Sequence, residues 1–301
     1  MRSEKGKNGF WKQAARDAGM AALDLVLPRR CPLCGKLSEG ICEKCREELP
    51  YIRGAVCFRC GRPLADDTEE YCPSCSSGRL AYTQGRALYL YRSPLKESLY
   101  AVKYQNKREY LEYYAQEIAE HLGEYLQKWR PQVLIPVPMH SSARRRRGYN
   151  QAELLARELG GLLSLPVRCD VLEKVRKTAN QKELDYRARR SNLKGAFAVS
   201  EKYAAAGAGS KLAEMEDARA RSGLVEMEDA GAGSKLAEME DARARSSLPE
   251  TAGSGERRLP WERILLVDDV YTTGSTIHEA ASVLRSAGVK YVYFVTICMA
   301  G

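Results

Sequence analysis

Eight of the ten cysteines in this 301-residue chain fall in one short segment near its start, where they form four C-x-x-C pairs. Two thiolates separated by two residues can reach one metal ion, and two such pairs complete a closed tetrahedral Cys₄ site. A segment this small with few apolar residues draws its folding free energy from the metal. We therefore predict two structural zinc ions in a double zinc-ribbon module at residues 28–80, held by Cys31, Cys34, Cys42, Cys45, Cys57, Cys60, Cys72 and Cys75.

The cysteine spacing leaves the pairing open. Sequential pairing joins the first pair with the second and the third with the fourth, and a crossed arrangement satisfies the same spacing; we favour the sequential one. A disulfide framework of a secreted protein is the competing interpretation, but the large cysteine-poor remainder favours zinc. There is no run of 18 apolar residues, so we expect no membrane span and a cytoplasmic protein. The net charge of +9 suggests an anionic partner.

From residue 81 onward, strand-like and helix-like segments alternate, after a tail or loose helix at residues 1–27. Apolar residues at helical spacing predict one helix over residues 111–129, another through residues 152–162, and a third after residue 276. The alternation predicts parallel βαβ units in an open α/β sheet. The predicted strands are "GRALYLYR" (85–92), "VLIPVP" (133–138), "VLEKV" (171–175), "GAFAV" (195–199), residues 264–267 and "YVYFVTICM" (291–299).

One segment breaks this pattern. The sequence "GAGSKLAEMEDARARS" occurs at residues 207–222 and again, letter for letter, at residues 231–246. Its few large apolar residues cannot bury enough surface to hold a fold. We predict that residues 201–258 form a disordered, duplicated insertion within a domain spanning residues 81–301; the alternative is a helical hairpin that contacts a partner.

The segment "ILLVDDVYTTGST" (264–276) predicts a buried strand that ends in two acids, Asp268 and Asp269, and leads through a hydroxyl-rich loop into a helix. Free N–H groups at a helix N-terminus favour an anion, and the loop adds hydroxyl donors. No Walker Gly-Lys-Ser/Thr is present. A ribose 5′-phosphate suits the pattern, because the ribose hydroxyls can donate to the carboxylates. We expect the phosphate on Thr272, Thr273, Gly274, Ser275 and Thr276.

The same 13 residues resemble the phosphoribosyl pyrophosphate (PRPP) binding motif of type I phosphoribosyltransferases. Together with "IPVPMHSSARRRRGYNQAELLA" (135–156), "RRSNLKGAFAV" (189–199) and the C-x-x-C pairs, the chain resembles the ComF family. That resemblance covers residues 28–200 and 259–300. It implies a type I phosphoribosyltransferase fold, with a central parallel sheet under a smaller hood, and a role in natural competence and uptake of DNA.

The resemblance also implies roles for particular residues. Asp268 and Asp269 would contact the ribose and serve as the catalytic acids, and Mg²⁺ would accompany the pyrophosphate. The turn after "IPVP" would face the pyrophosphate, where arginine forks suit phosphate oxygens. Asn150 and Gln151 would either bind the ligand or cap the following helix. The cations expected at the pyrophosphate are Arg144, Arg145 and Arg147, beside Arg146.

Two functions remain in view. In the first, the protein binds PRPP with Mg²⁺ and single-stranded DNA, and works in competence beside helicase or recombination proteins. Its basic excess and many tyrosines support contact with nucleic acid. The alternative is an active phosphoribosyltransferase of nucleotide metabolism that transfers the phosphoribosyl group of PRPP to a nitrogen base. No segment of the sequence identifies that base.

Overall fold

A four-stranded parallel sheet lies at the centre of the protein. The computed structural model describes residues 29–78, 80–178, 192–204 and 258–301. The strands, in their order across the sheet, are β1 (Gln84–Leu90), β6 (Tyr291–Met299), β5 (Arg263–Tyr271) and β2 (Val133–Pro136). Each neighbouring pair runs parallel. The predicted α/β class with a central parallel sheet is confirmed.

Helices cover both faces of this sheet. Because successive residues of a strand point to opposite sides, each strand packs apolar residues against both helical layers. Ile264 and Leu266 of β5 pack with helix α9 (Ser275–Ser286) on one face. Leu265 and Val267 face a helical layer on the other side. That layer consists of α3 (Leu95–Tyr104), α4 (Tyr110–His121), α5 (Gly123–Trp129) and α7 (Gln151–Leu163). Among the described residues, no helix has the length and hydrophobicity needed to cross a bilayer.

Two expected elements differ from the sequence prediction. The single helix predicted over residues 111–129 is two helices, α4 and α5, because the backbone leaves helical geometry at Leu122 (φ −108°, ψ 9°) just before Gly123. Strand β5 was expected to end at Val267, and that was wrong. It continues to Tyr271 because β6 keeps pairing with it as far as Tyr271 opposite Met299.

A small antiparallel hairpin forms a second sheet near the carboxyl end of β5. It pairs β3 (Leu172–Lys174) with β4 (Phe197–Val199), and Phe197 joins the core on the α9 face. The short helix α8 (Glu201–Ala204) follows. The predicted tail at residues 1–27, and the insertion beyond Ala204 as far as residue 257, lie outside the described residues.

The cysteine-rich segment contains two short helices, α1 (Glu43–Glu47) and α2 (Pro73–Ser76), and wraps around the outer edge of the sheet. Residues 50–52 pair with the free edge of β1: the Ile52 N–H donates to the Leu88 carbonyl at 3.0 Å, and the Leu90 N–H donates to the Pro50 carbonyl at 2.9 Å. Before this edge, Ile41 and Leu49 pack into the helical layer. After it, the last four cysteines pack on the α9 face. The two halves of the segment therefore lie on opposite faces of one sheet.

Candidate functional site

The eight cysteines form two sets of four in the sequential arrangement. Within each set all sulfur atoms lie within 4.8 Å of one another. The Cys34 and Cys42 sulfurs are 3.7 Å apart, and so are those of Cys60 and Cys72. A tetrahedral zinc with sulfurs at about 2.3 Å requires sulfur–sulfur separations of about 3.8 Å, so both sets fit this ion. We call the unit around residues 31–45 the first ribbon and the unit around residues 57–75 the second ribbon.

The two ribbons contain the same knuckle. In the first ribbon, the Cys31 N–H donates to the Lys36 carbonyl at 2.8 Å; in the second, the Cys57 N–H donates to the Arg62 carbonyl at 2.8 Å. Each knuckle turns at a glycine with positive φ, 72° at Gly35 and 74° at Gly61, a conformation that glycine adopts without strain. The glycine after the second cysteine of a pair, visible in the sequence, is thus a backbone requirement of the knuckle.

The surroundings of the first cysteine in each ribbon favour the thiolate, which is the form that binds metal. Burial opposes ionisation of Cys31, but nearby backbone N–H groups outweigh it and lower the pKa of this thiol to about 7. Hydrogen bonds from the Cys60 and Cys75 thiols lower the pKa of Cys57. Each set therefore presents a sulfur already biased toward ionisation. This chemistry supports structural zinc in both ribbons.

Asp268 and Asp269 lie side by side on β5 but face opposite sides of the sheet, because both belong to the strand. Asp269 is buried and forms an ion pair with Lys103 of α3. Burial alone would raise the pKa of Asp269, yet the Lys103 charge and hydrogen bond lower it, so this acid stays ionised. Burial, together with the charge of Asp269, raises the pKa of Asp268 well above its usual value. The pair therefore offers one fixed carboxylate and one that binds a proton readily.

Two lysines at these acids were missed in the sequence. Lys103 follows Leu99 by four residues, as Leu99 follows Leu95, so helical spacing already placed it on the buried face of α3. On the other side, Lys174 of β3 is half-buried; burial lowers its pKa, and the charge of Asp268 opposes that effect. No local pattern pointed to Lys174, because the hairpin meets β5 only through the fold. Lys103 therefore pairs with Asp269 and also acts on Asp268, whereas Lys174 is affected by the charge of Asp268 alone of the two acids.

The hydroxyl-rich loop joins β5 to α9, as predicted. Gly274 has a φ of 77° and accepts the first helical hydrogen bond, from the His278 N–H at 2.8 Å. A Cβ at Gly274 would lie 2.3 Å from the Tyr271 hydroxyl oxygen, so only glycine fits there. The Thr273 and Ser275 hydroxyls are 3.0 Å apart. The start of α9, with its free N–H groups, therefore lies beside hydroxyl donors. The predicted phosphate residues, brought together here, are Thr272, Thr273, Gly274, Ser275 and Thr276.

The arginine run lies on helix α6 (Ser141–Arg147), and its members have different neighbours. Arg147 donates to the Gln151 side-chain oxygen at 2.5 Å, and the Gln151 amide in turn lowers the pKa of Asp269. Arg144 forms an ion pair with Glu153 at 2.9 Å. Arg145 is exposed and forms no ion pair with another described residue. Of the three arginines predicted to bind the ligand, Arg147 is thus the one connected to the acidic pair.

The sequence left two roles open for Asn150 and Gln151, namely ligand binding and capping of the following helix, and the two residues have different surroundings. The Asn150 side chain accepts from the Ala152 N–H at 3.2 Å, which caps α7, and donates to the Val137 carbonyl at 3.0 Å. Gln151 is buried between Arg147 and Asp269. Asn150 is therefore a helix cap that also fixes the segment after β2. Gln151 is the residue of this pair that belongs to the acidic site.

The remaining cysteines also differ from each other. Cys298 is fully buried on β6, as expected of a small apolar residue. Cys169 differs from Cys298 in its exposure. It is half-buried, because it lies on a connection and not within a strand of the central sheet, and its partial burial raises the pKa of the thiol.

Comparison with known proteins identifies the same two parts. A family model described as a double zinc ribbon domain matches residues 22–76. Another, described as a phosphoribosyl transferase domain, matches residues 220–301. These two matches agree with the cysteine sets and with the parallel sheet carrying the acidic pair.

Curated relatives extend this similarity over most of the chain. Competence protein F of Haemophilus influenzae is 26% identical over 276 residues, which is 87% of this chain and 93% of that protein. The DNA utilization protein YhgH of Salmonella typhimurium is 30% identical over 183 residues, 58% of this chain and 78% of that protein. Competence protein ComFC of Bacillus subtilis is 29% identical over 150 residues, 48% of this chain and 58% of that protein.

Proposed function

Because the chain belongs to the ComF family, we propose that it binds PRPP with Mg²⁺ and acts in the cytoplasm in natural competence and DNA uptake. Its relatives are named as competence proteins and as a DNA utilization protein, which supports that role. Ten free cysteines, eight of them in metal-ligating sets, fit a reducing compartment. Helicase or recombination proteins are the expected partners in such a process.

The observation that carries the ligand proposal is the acidic pair beside the loop at the start of α9. The loop N–H groups and hydroxyls suit a 5′-phosphate. The ionised Asp269, held by Lys103, suits a ribose hydroxyl donor. Both belong to one continuous segment, since β5 ends at Tyr271 and α9 begins at Ser275. A phosphate and a ribose of one molecule would therefore contact two neighbouring parts of one segment.

The pyrophosphate of this ligand would lie toward α3 and α6. Lys103 and Arg147 supply positive charge on that side of Asp269. Among the described residues, the cysteine sets are the only clusters of three or more groups suited to a metal. Mg²⁺ would therefore enter mainly on the pyrophosphate oxygens, which is how this ion usually binds.

Calorimetric titration with PRPP and Mg²⁺ tests this proposal. We expect binding by the wild-type protein and a loss of at least about tenfold in affinity for Asp269→Asn, because a charge-assisted hydrogen bond is removed. Asp170→Asn is the matched control: Asp170 pairs with Lys202 at 2.7 Å in an exposed ion pair away from the loop. Absence of PRPP binding by the wild type, or equal losses in both variants, would contradict the proposal.

Catalysis is the alternative within the same site. A phosphoribosyltransferase would consume PRPP and release pyrophosphate when the correct base is supplied, and Asp269→Asn would abolish that release. Measurement of pyrophosphate release with a panel of purine, pyrimidine and pyridine bases distinguishes a catalytic site from a site that only binds PRPP. PRPP binding without turnover across the panel favours the ligand as a regulator.

A second proposed activity, binding of single-stranded DNA, is supported by an exposed aromatic pair beside the arginine run. Tyr100 and Tyr104, four residues apart on α3, are 54% and 56% exposed, with ring centroids 4.7 Å apart. The Arg147 guanidinium lies over the Tyr104 ring at 5.5 Å. Exposed rings stack on bases of any sequence, and arginines contact the phosphates. Tyr104 also follows Lys103, so this surface borders the acidic site.

Fluorescence anisotropy with a labelled oligothymidylate tests the DNA surface. We expect affinity to fall steeply between about 50 and 200 mM salt and to drop about tenfold or more in Tyr100→Ala/Tyr104→Ala. The control is Phe58→Ala/Tyr71→Ala, which removes the exposed aromatic pair of the second ribbon, with centroids 6.2 Å apart. A loss of DNA affinity confined to the control variant would indicate that DNA binds to the second ribbon instead. Absent or salt-independent binding would exclude DNA as the partner.

A further inference from the structure

A single arginine of the second ribbon contacts the ends of the two central strands. The Arg62 Nη2 donates to the Thr272 carbonyl at 2.9 Å, and its Nη1 donates to the Ala300 carbonyl at 2.8 Å. Thr272 is the first residue of the loop after β5, and Ala300 follows β6. The Ala300 N–H also donates to the Tyr271 carbonyl at 2.8 Å. The guanidinium thus joins both strand ends where the candidate phosphate loop begins.

The knuckle and strand β1 fix the backbone of Arg62. Its carbonyl accepts from the N–H of Cys57, a metal-ligating residue, at 2.8 Å. On the other side, the Gly85 N–H of β1 donates to the Arg59 carbonyl at 2.8 Å. Gly61 packs so closely on β1 that an added Cβ would lie 2.9 Å from the Gly85 carbonyl oxygen. Arg62 is therefore anchored to the metal set at its backbone and to the loop at its side chain.

A second contact reaches the same loop through aromatic rings. Gly274 lies against the Tyr271 ring, and the Tyr271 and Tyr82 hydroxyl oxygens are 2.8 Å apart. Tyr82 and Tyr271 share one packed cluster with the four buried cysteines of the second ribbon. The loop thus touches the second ribbon at its first residue through Arg62, and at its glycine through the tyrosines.

We propose that Arg62 is a positioning residue that holds the loop of residues 272–276 ready for a phosphorylated ligand, and so couples zinc in the second ribbon to ligand affinity. The identity of the ligand rests on the proposed function, whereas the effect of Arg62 on the loop does not. The guanidinium is rigid, and its bond to the Ala300 carbonyl limits its movement. Its second bond therefore limits the positions that the Thr272 carbonyl can take. Coupling of this kind is reciprocal, so bound ligand would also raise the affinity of the second ribbon for zinc.

The chain provides its own control for this proposal. Lys36 occupies in the first knuckle the position that Arg62 occupies in the second, since each accepts the N–H of the first cysteine through its carbonyl at 2.8 Å. The Lys36 side chain is exposed and no contact joins it to the loop. Lys36→Ala and Arg62→Ala therefore remove matched cationic side chains from matched knuckles.

Hydrogen–deuterium exchange on the unliganded, zinc-loaded protein tests the loop directly. We expect Arg62→Ala to speed exchange about tenfold at short times in peptides covering residues 272–280, where the His278 N–H bonds to Gly274. Lys36→Ala is expected to match the wild type. Zinc content must stay at two equivalents in every variant that is compared. Unchanged exchange in Arg62→Ala, or an equal increase in Lys36→Ala, overturns the proposal.

Titration of PRPP with Mg²⁺ into the same variants tests the coupling. We expect affinity about tenfold weaker for Arg62→Ala, unchanged for Lys36→Ala, and partly restored for Arg62→Lys, since an ammonium can reach one of the two carbonyls. Arg62→Lys also serves as the test variant if the alanine variant does not fold. If the wild type shows no PRPP binding while loop exchange responds to Arg62, the proposed ligand is wrong and the positioning role stands. Wild-type PRPP affinity in zinc-loaded Arg62→Ala overturns the coupling.

Discussion

The two zinc ribbons have the same knuckle but different surroundings. In the first ribbon Cys34 and Lys36 are exposed; in the second all four cysteines are buried, and Arg62, the counterpart of Lys36, bonds to two strand ends. The knuckle hydrogen bonds and glycine conformations hardly differ between them. The local sequence therefore builds the same metal unit twice, and the face of the sheet on which each unit packs decides what it contacts.

The first ribbon is attached to the helical layer by a buried acid. Glu117 of α4 is 2% exposed and pairs with Arg46 of the ribbon at 2.7 Å. The Tyr51 and Tyr89 hydroxyls donate to the same carboxylate at 2.6 and 2.8 Å. Burial, followed by the neighbouring Glu117, raises the pKa of Tyr51 to about 12, so this phenol remains a donor at neutral pH. The first ribbon thus supports a helix, whereas the second supports the candidate ligand loop.

The largest effect is expected from breaking one ribbon at a time with matched cysteine variants. Cys60→Ser should cost about 4 kcal/mol or more of unfolding free energy and weaken PRPP binding, because a buried metal set packed on the sheet is lost. Cys34→Ser, at the equivalent exposed position, should cost less and leave affinity within about twofold. Zinc content, urea unfolding and PRPP titration check this. Equal effects of the two variants on affinity would remove the distinction between the ribbons.

A smaller effect should follow from breaking the anchor of the first ribbon alone. Glu117→Gln should lower the unfolding free energy by about 2 kcal/mol, because the buried carboxylate that accepts from Arg46, Tyr51 and Tyr89 is lost, and should leave PRPP affinity unchanged. Glu120→Gln is the control, since Glu120 is exposed and lies 3.7 Å from the same arginine. Urea unfolding of both variants is the measurement. A loss of ligand affinity in Glu117→Gln would show that the first ribbon also reaches the loop.

The smallest effect concerns stability at the acidic site. Since burial and Asp269 raise the pKa of Asp268, the folded state holds this proton more tightly than the unfolded state. The stability that this proton contributes is present at low pH. It declines as the pH rises above about 3.9, the pKa of an aspartate in the unfolded chain, and it is fully lost above the raised pKa of folded Asp268. Asp268→Asn should raise the melting temperature of the unliganded protein by about 2–4 °C at pH 7.5. Near pH 3.5 no gain is expected.

Asp269→Asn is expected to change the melting temperature in the opposite direction. Lys103 lowers the pKa of Asp269 in the folded state. The ionised carboxylate therefore stabilises the fold at pH values above the pKa that it has in the unfolded chain. That contribution is lost as the pH falls through the lower pKa of the folded state. Its replacement should lower the melting temperature at pH 7.5. Thermal melts of both variants at the two pH values check the pair, and a stabilising Asp269→Asn would contradict the assignment of charge to these acids.

The residue pattern predicted most of the individual parts but few of their contacts. The C-x-x-C spacing predicted both metal sets, and period-two and helical patterns predicted the strands and the helices around residues 111–129, 152–162 and 277–284, but not α3. Lys103 was readable from helical spacing and was missed. Lys174 and Arg62 were not readable, because the effect of the Asp268 charge on Lys174 and the contact of Arg62 with Thr272 join segments far apart in the chain.

The sequence by itself determined the metal units, the strand–loop–helix segment and the acid pair, because each depends on residues within one turn or one loop of one another. Only the tertiary structure decided that β5 continues through Asp268 and Asp269, since pairing with β6 supplies its backbone hydrogen bonds. That continuation turns the two acids to opposite sides of the sheet, Asp269 to its ion pair with Lys103 and Asp268 to the side of Lys174. The fold also placed the ribbons on opposite faces, because residues 50–52 pair along the edge of β1 between them.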